Sequence, residues 1–132
     1  MYQKRIYKTF PFEPSPKMYQ DMLDKIEYKS AAQINEIYGV GSTSDDWRPR
    51  AILIASLRLK INPLYEYPDL QRIQRSFVNA VGDFIEYAEP KILAKLIGEK
   101  DHQAGNLVKS MLIDAIVNLE KAMAGKAKVK QL

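Results

Sequence analysis

The chain has 132 residues, 46% of them hydrophobic and 27% charged, with 20 Lys and Arg against 16 Asp and Glu, no cysteine and one histidine. That length suits one domain with a real core. The missing cysteines exclude disulfides, thiol nucleophiles and Cys-containing zinc sites, and a Ser-His-Asp arrangement would have to use His102. No apolar run approaches the ~20 residues that cross a bilayer, and Met1 to Arg5 lacks the apolar core of a signal peptide.

Residues 1–15 form the first element, read as an extended arm. Pro11, Pro14 and Pro16 punctuate its end, and residues before proline are pushed towards extended conformations. Tyr2, Tyr7, Phe10 and Phe12 interleave there with Lys4, Arg5 and Lys8. A merely solvated tail rarely carries aromatics at this density, so the arm is expected to fold onto its own core, a neighbouring copy or nucleic acid.

Ser15 with Pro16 marks a helix start. A helix is expected from Pro16 to Tyr38, with Tyr19, Met22, Leu23, Ile26, Ile34 and Ile37 at helical spacing and a break available at 29–33. Gly39 stops it, and Gly39 to Asp46 is a loop by composition. That loop lacks the lysine of a phosphate-binding loop and follows a helix rather than a strand, so it reads as a linker. Asp45 or Asp46 caps a short apolar helix over about Trp47 to Ile61. Asp45, Asp46, Glu66 and Asp69 fit no metal-ligand spacing, and the cap and loop roles account for them.

Asp69 is expected to cap a third helix whose stripe is Leu70, Ile73, Phe77, Val81, Phe84, Ile85 and Ala88. Pro90 kinks it or opens a new helix, and Gly98 stops the segment. The last helix, about His102 to Ala124, carries Leu107, Met111, Leu112, Ala115, Ile116 and Leu119, with a stop at Gly125 and a basic tail over 126–132. His102 at its start has no nucleophile motif beside it and reads as a surface residue. The fold class is all-α: a four-helix-bundle-like core over 16–125, preceded by the extended arm and followed by the tail.

Charge is segregated along this frame. Residues 1–20 carry net +3, 21–47 net −4, 48–75 net +4, 76–120 net −3 and 121–132 net +4. Arg48, Arg50, Arg58, Lys60, Arg72 and Arg75 make up the central basic block, with Arg72 and Arg75 expected as neighbours on the third helix. Arginine favours multidentate phosphate contact. These six and the three arm cations are therefore the candidate nucleic-acid contacts. The arm aromatics are the candidate assembly residues, and Trp47, Tyr65 and Tyr67 in the links suit subunit contacts.

The arm Tyr2 to Pro16, the helical stripes from Met22 to Met123 and the central arginines together resemble the major coat proteins of filamentous archaeal viruses of the lipothrixvirus type. The resemblance is architectural, spans the whole chain and rests on no short motif. It implies a structural protein rather than an enzyme, without cofactor or metal. Such a protein would wrap double-stranded DNA into an A-form helix by sequence-independent phosphate contacts, inside a virion assembled in the host cytoplasm. It further implies association with copies of itself and a related second coat protein, and a lipid envelope around the filament. A-form grooves are read poorly by side chains, so backbone contact is the expected mode. Two other readings are a helical interaction subunit of a larger nucleic-acid complex, such as the small subunit of a CRISPR effector, and a small metal-dependent enzyme built on the four acids.

Overall fold

A computed structural model describes residues 13–38, 43–67, 70 and 72–130, with no side-chain description for 38 and 126–130. Six helices and a 3-10 turn make up these residues, which contain no strand: α1 Pro16–Glu27, α2 Ala31–Tyr38, α3 Arg48–Ile61, α4 Arg75–Tyr87, α5 Pro90–Ala94, the 3-10 turn Lys95–Ile97, and α6 His102–Lys130. The arm residues Tyr2, Lys4, Arg5, Tyr7, Lys8, Phe10 and Phe12, the Gly39 stop, the Asp69 cap and residues 131–132 lie outside the described residues.

α1 starts as its sequence predicts. Ser15 is extended, its hydroxyl accepts the Met18 N–H, and Pro16 takes the first helical position. Its buried face is Tyr19, Met22, Leu23 and Ile26, one stripe at i, i+3, i+4 and i+7. The chain does break after Glu27, and the restart is chemical. Ser30 Oγ accepts the Gln33 N–H at 3.1 Å while Gln33 Oε1 accepts the Ser30 N–H at 2.8 Å, a reciprocal capping box that opens α2.

α3 and α6 share the middle of the core. α3 packs against α1, α2, α4 and α6, while α6 packs against α3, α4, α5 and the 3-10 turn. This explains why so much of α3 is covered, with Ile52, Leu53, Ala55, Leu57 and Leu59 buried. Its single buried hydroxyl, Ser56, donates to the Leu53 carbonyl.

Two boundaries differ from the sequence expectation. α4 begins at Arg75, not just after Asp69, because Leu70 and Ile73 are held by 3-10-type bonds: Leu70 N–H donates to Tyr67 O and Ile73 N–H to Leu70 O. Both side chains are still buried, and a spacing of three satisfies a 3-10 turn as well as an α-helix. The buried face of α4 is Val78, Val81, Gly82 and Ile85, with Phe77 and Phe84 at its margins. α6 runs through Gly125 to Lys130, so 126–130 is helical backbone rather than an irregular tail. Alanine and lysine are strong helix formers, and lysines suit the negative end of the helix dipole.

Pro90 opens α5 with Glu89 as an extended N-cap, and Gly98 ends the 3-10 turn in the left-handed region at φ 75°. α5 lies against α6 at a contact only glycine permits. A Cβ on Gly105 would stand 1.7 Å from the Pro90 carbonyl oxygen.

Lys109 on α6 ties the end of α4. Its ammonium donates to the carbonyls of Glu86 at 3.0 Å and Ala88 at 2.6 Å, serving acceptors that a helix C-terminus leaves without partners. Burial draws the Lys109 pKa below its ordinary value, and the charge of Glu86 opposes that shift. Lys109→Met keeps the aliphatic stem and removes the donor. It is expected to cost about 1–2 kcal/mol in urea unfolding, the range for leaving partly buried acceptors unserved. An unchanged midpoint would show that water replaces the ammonium without loss.

Candidate nucleic-acid interface

The central basic block does not form one bare phosphate-facing surface. The fold uses four of its six cations internally. Arg48 follows Asp46 by two residues at the start of α3. Its Nε donates to Asp46 Oδ1 at 2.9 Å and its Nη2 to Oδ2 at 2.7 Å, a bidentate pair on a buried carboxylate. The same carboxylate accepts the Arg48 backbone N–H at 3.0 Å, so Asp46 does the capping work expected of it, though one residue ahead of Trp47. Donating to the Asp46 carboxylate raises the Arg48 pKa further. On its other face the guanidinium lies 4.0 Å from the Phe77 ring centroid, joining α3 to α4.

Arg50, one turn into α3, reaches across to the end of α1. Its Nε donates to Lys29 O at 2.8 Å and its Nη2 to Glu27 O at 2.9 Å. Arg58 pairs with the Glu27 carboxylate and lies 5.9 Å from the Tyr65 ring. Lys60 pairs with Asp114 of α6 at 2.9 Å, and the Tyr19 hydroxyl donates to the same carboxylate oxygen at 2.7 Å. These contacts tie the end of α1 to α3 through both Arg50 and Arg58, and bring Tyr19 of α1 and Lys60 of α3 to one carboxylate of α6.

Arg72 and Arg75 differ. Both are exposed, and neither makes an ion pair among the described residues. They are not neighbours on one helix as expected, since Arg72 precedes α4 and Arg75 is its first residue. Arg75, Ser76 and Asn79 line a cleft of about 280 Å³ with Glu120 and Met123 of α6. Arg58 keeps about 40% of its side chain exposed despite its pair with Glu27. The basic block therefore divides into four structural cations, one of them still largely reachable, and two outward ones.

Sequence reasoning passed over Lys25, Tyr28 and Lys29. Tyr28 closes α1 and is 92% exposed, flanked in sequence by Glu27 and Lys29, the residues whose carbonyls hold Arg50. The signal was available as an aromatic falling off the 19/22/23/26 stripe. Of the link aromatics proposed for subunit contacts, Trp47 is half exposed, Tyr65 lies beneath Arg58, and Tyr67 is buried, which raises its pKa. Tyr67 thus belongs to the core.

Among the described residues, no three His, Cys, Asp or Glu side chains gather as metal ligands, and no helix is long and apolar enough to cross a membrane. Asp45 accepts from Thr43 and Asp46 holds Arg48. His102 is exposed at the first position of α6, where the preceding Asp101 accepts the Ala104 N–H. Compared with protein-family models, with curated proteins and with solved structures, the chain matches none.

Proposed function

We propose that this chain is a structural nucleic-acid-coating subunit, the major coat protein of a filamentous archaeal virus. In this reading α1, α3, α4 and α6 form a four-helix-bundle-like core and residues 1–15 an arm that carries assembly contacts. Copies of the chain, with a related second coat protein, sheathe double-stranded DNA in the A form within an enveloped virion built in the host cytoplasm. The role is structural rather than catalytic and needs no cofactor.

The observation that carries the reading is the segregation of charge. Net positive segments at 1–20, 48–75 and 121–132 alternate with net negative ones, and Arg72 and Arg75 of the central segment stand exposed. Exposed cations suit backbone contact, which neutralises phosphates and releases counterions without reading bases. A modest net charge of +4 per chain suffices when many copies line one duplex.

Binding to two unrelated duplexes across a salt series tests this. Equal affinities and a steep logarithmic fall with salt are expected. Arg72→Ala and Arg75→Ala should each reduce the salt slope by about 1, one phosphate contact per cation. Sequence-selective or salt-insensitive binding would overturn the reading. Deletion of residues 1–16 should abolish self-assembly, whereas retained assembly with a partner complex would favour the interaction-subunit alternative.

A further inference from the structure

We infer that the end of the molecule where α3 and α4 begin takes single-stranded nucleic acid, with Trp47 stacking on an unpaired base while Arg72 and Arg75 hold the flanking phosphates. The inference rests on the nucleic-acid reading of those two arginines and adds a ligand class to it.

Trp47 is the only tryptophan of the chain and is 45% exposed. The backbone on both sides of it is held. Asn35, itself buried, donates through its amide to Ser44 O at 3.1 Å and to Asp46 O at 2.8 Å. The Trp47 carbonyl accepts the Ala51 N–H at 3.1 Å as α3 begins. The Asp46 carboxylate clamps the next residue, Arg48, through both its backbone N–H and its guanidinium. A half-exposed indole on a fixed backbone loses little freedom when a flat partner lies on it.

One contact ties the indole's helix to the helix of the free arginines. The Arg48 guanidinium lies 4.0 Å from the ring centroid of Phe77, the third residue of α4. Trp47 directly precedes Arg48, Arg75 stands two residues before Phe77, and Arg72 lies in the Leu70 to Ile73 turn that leads into α4. Both arginines are exposed and make no ion pair among the described residues, and residues 72–82 carry no acid. Of the acids on neighbouring elements, Asp46 is held by Arg48, Asp45 accepts the Thr43 hydroxyl at 2.8 Å, and Glu120 of α6 is buried.

The indole selects an unpaired strand. Stacking on an aromatic side chain needs a bare base face, and every base offers one once it is outside a duplex. Within a duplex those faces are covered by neighbouring pairs, and opening a step is costly. Phosphates are common to both forms, so the arginines serve either ligand and the indole adds affinity only for the unpaired one.

Tryptophan fluorescence of the full chain reads this site alone, since no second tryptophan contributes. Titration with oligothymidylate or oligouridylate should quench Trp47, and the tighter of the two identifies the preferred sugar. A relaxed circular duplex, which has no ends, should bind without quenching. Trp47→Ala should weaken single-strand binding, read from the anisotropy of a labelled oligonucleotide, by about 5- to 150-fold, the value of one base–aromatic stack. Its duplex binding should be unchanged. Trp47→Phe keeps an aromatic face and should recover most of the loss, and circular dichroism checks that both variants fold. Single strands that bind without quenching, folded Trp47→Ala protein that binds them as the wild type does, or equal quenching by the circular duplex would each overturn the inference. So would an emission that shifts to the blue with protein concentration alone, since another copy would then cover the ring. Salt-dependent duplex binding is read separately. If it persists without any single-strand effect, the inference fails and the coat reading stands. If single strands quench Trp47 and duplex binding is absent, the coat reading fails alone.

Discussion

Gly105→Ala is expected to be the most damaging single-methyl substitution in the described core, lowering the thermal midpoint by about 10 °C or more. A Cβ at that position would lie 1.7 Å from the Pro90 carbonyl oxygen and 2.2 Å from its carbon. Both are backbone atoms, so no side chain can turn aside. α5 must move off α6, and with it Leu93 and Ala94, which are fully buried. Overpacking typically costs about 1–3 kcal/mol and more where relaxation is blocked. Near 3 kcal/mol is expected here, at about 3–5 °C per kcal/mol for a chain between the small and large size classes. Gly125→Ala supplies the control. It lies on the same helix with nothing within 4 Å of the added Cβ, and it should stabilise by about 0.5–1 kcal/mol through helix propensity alone. Differential scanning calorimetry on both variants decides the matter. Equal effects would mean that α5 does not rest on Gly105.

Gly105 also shows where sequence reading stops. The helical stripes were legible because burial repeats with the helical period: Tyr19, Met22, Leu23 and Ile26 in α1, and Met111, Leu112, Ala115, Ile116 and Leu119 in α6, all lie in the core as predicted. Local caps were legible too, at Ser15, Pro90 and Gly98, since each needs only its immediate neighbours. A glycine demanded by a distant carbonyl leaves no local trace. Nor does a 3-10 turn that keeps the i, i+3 spacing of a helix, which is why α4 starts five residues later than its stripe suggests. The capping box at Ser30 and Gln33 is local as well, and it restarts the helix where the apolar stripe weakens over 29–33.

The candidate site was legible as charge and illegible as geometry. Composition puts six cations between 48 and 75, but only long-range contacts reveal that Arg50 meets carbonyls 21 and 23 residues away and that Lys60 meets Asp114. A solvated basic face and a set of internal ties have the same sequence. Arg58 shows the two overlapping, since it is paired with Glu27 yet keeps enough exposure to meet a partner.

Arg50→Ala is expected to cost about 2–3 kcal/mol of stability, whereas Arg72→Ala should stay within about 0.5 kcal/mol, the usual range for a surface change. Arg50 is half-buried, and its two donors serve the Glu27 and Lys29 carbonyls at the end of α1. Those acceptors have no helical partner beyond the chain break, and truncation leaves them facing the body of α3. Arg50→Lys should recover less than half of the loss, because one ammonium cannot reproduce a fork spread over two carbonyls two residues apart. The same pair of variants separates structure from interface. If Arg50 acts only as a tie, Arg50→Ala protein that remains folded at low temperature keeps the duplex-binding salt slope of the wild type, while Arg72→Ala, fully stable, loses about one unit of it. Chemical denaturation gives the stability and a salt titration gives the slope. A slope lost at Arg50 and kept at Arg72 would move the phosphate contacts from the start of α4 to the junction of α1 and α3.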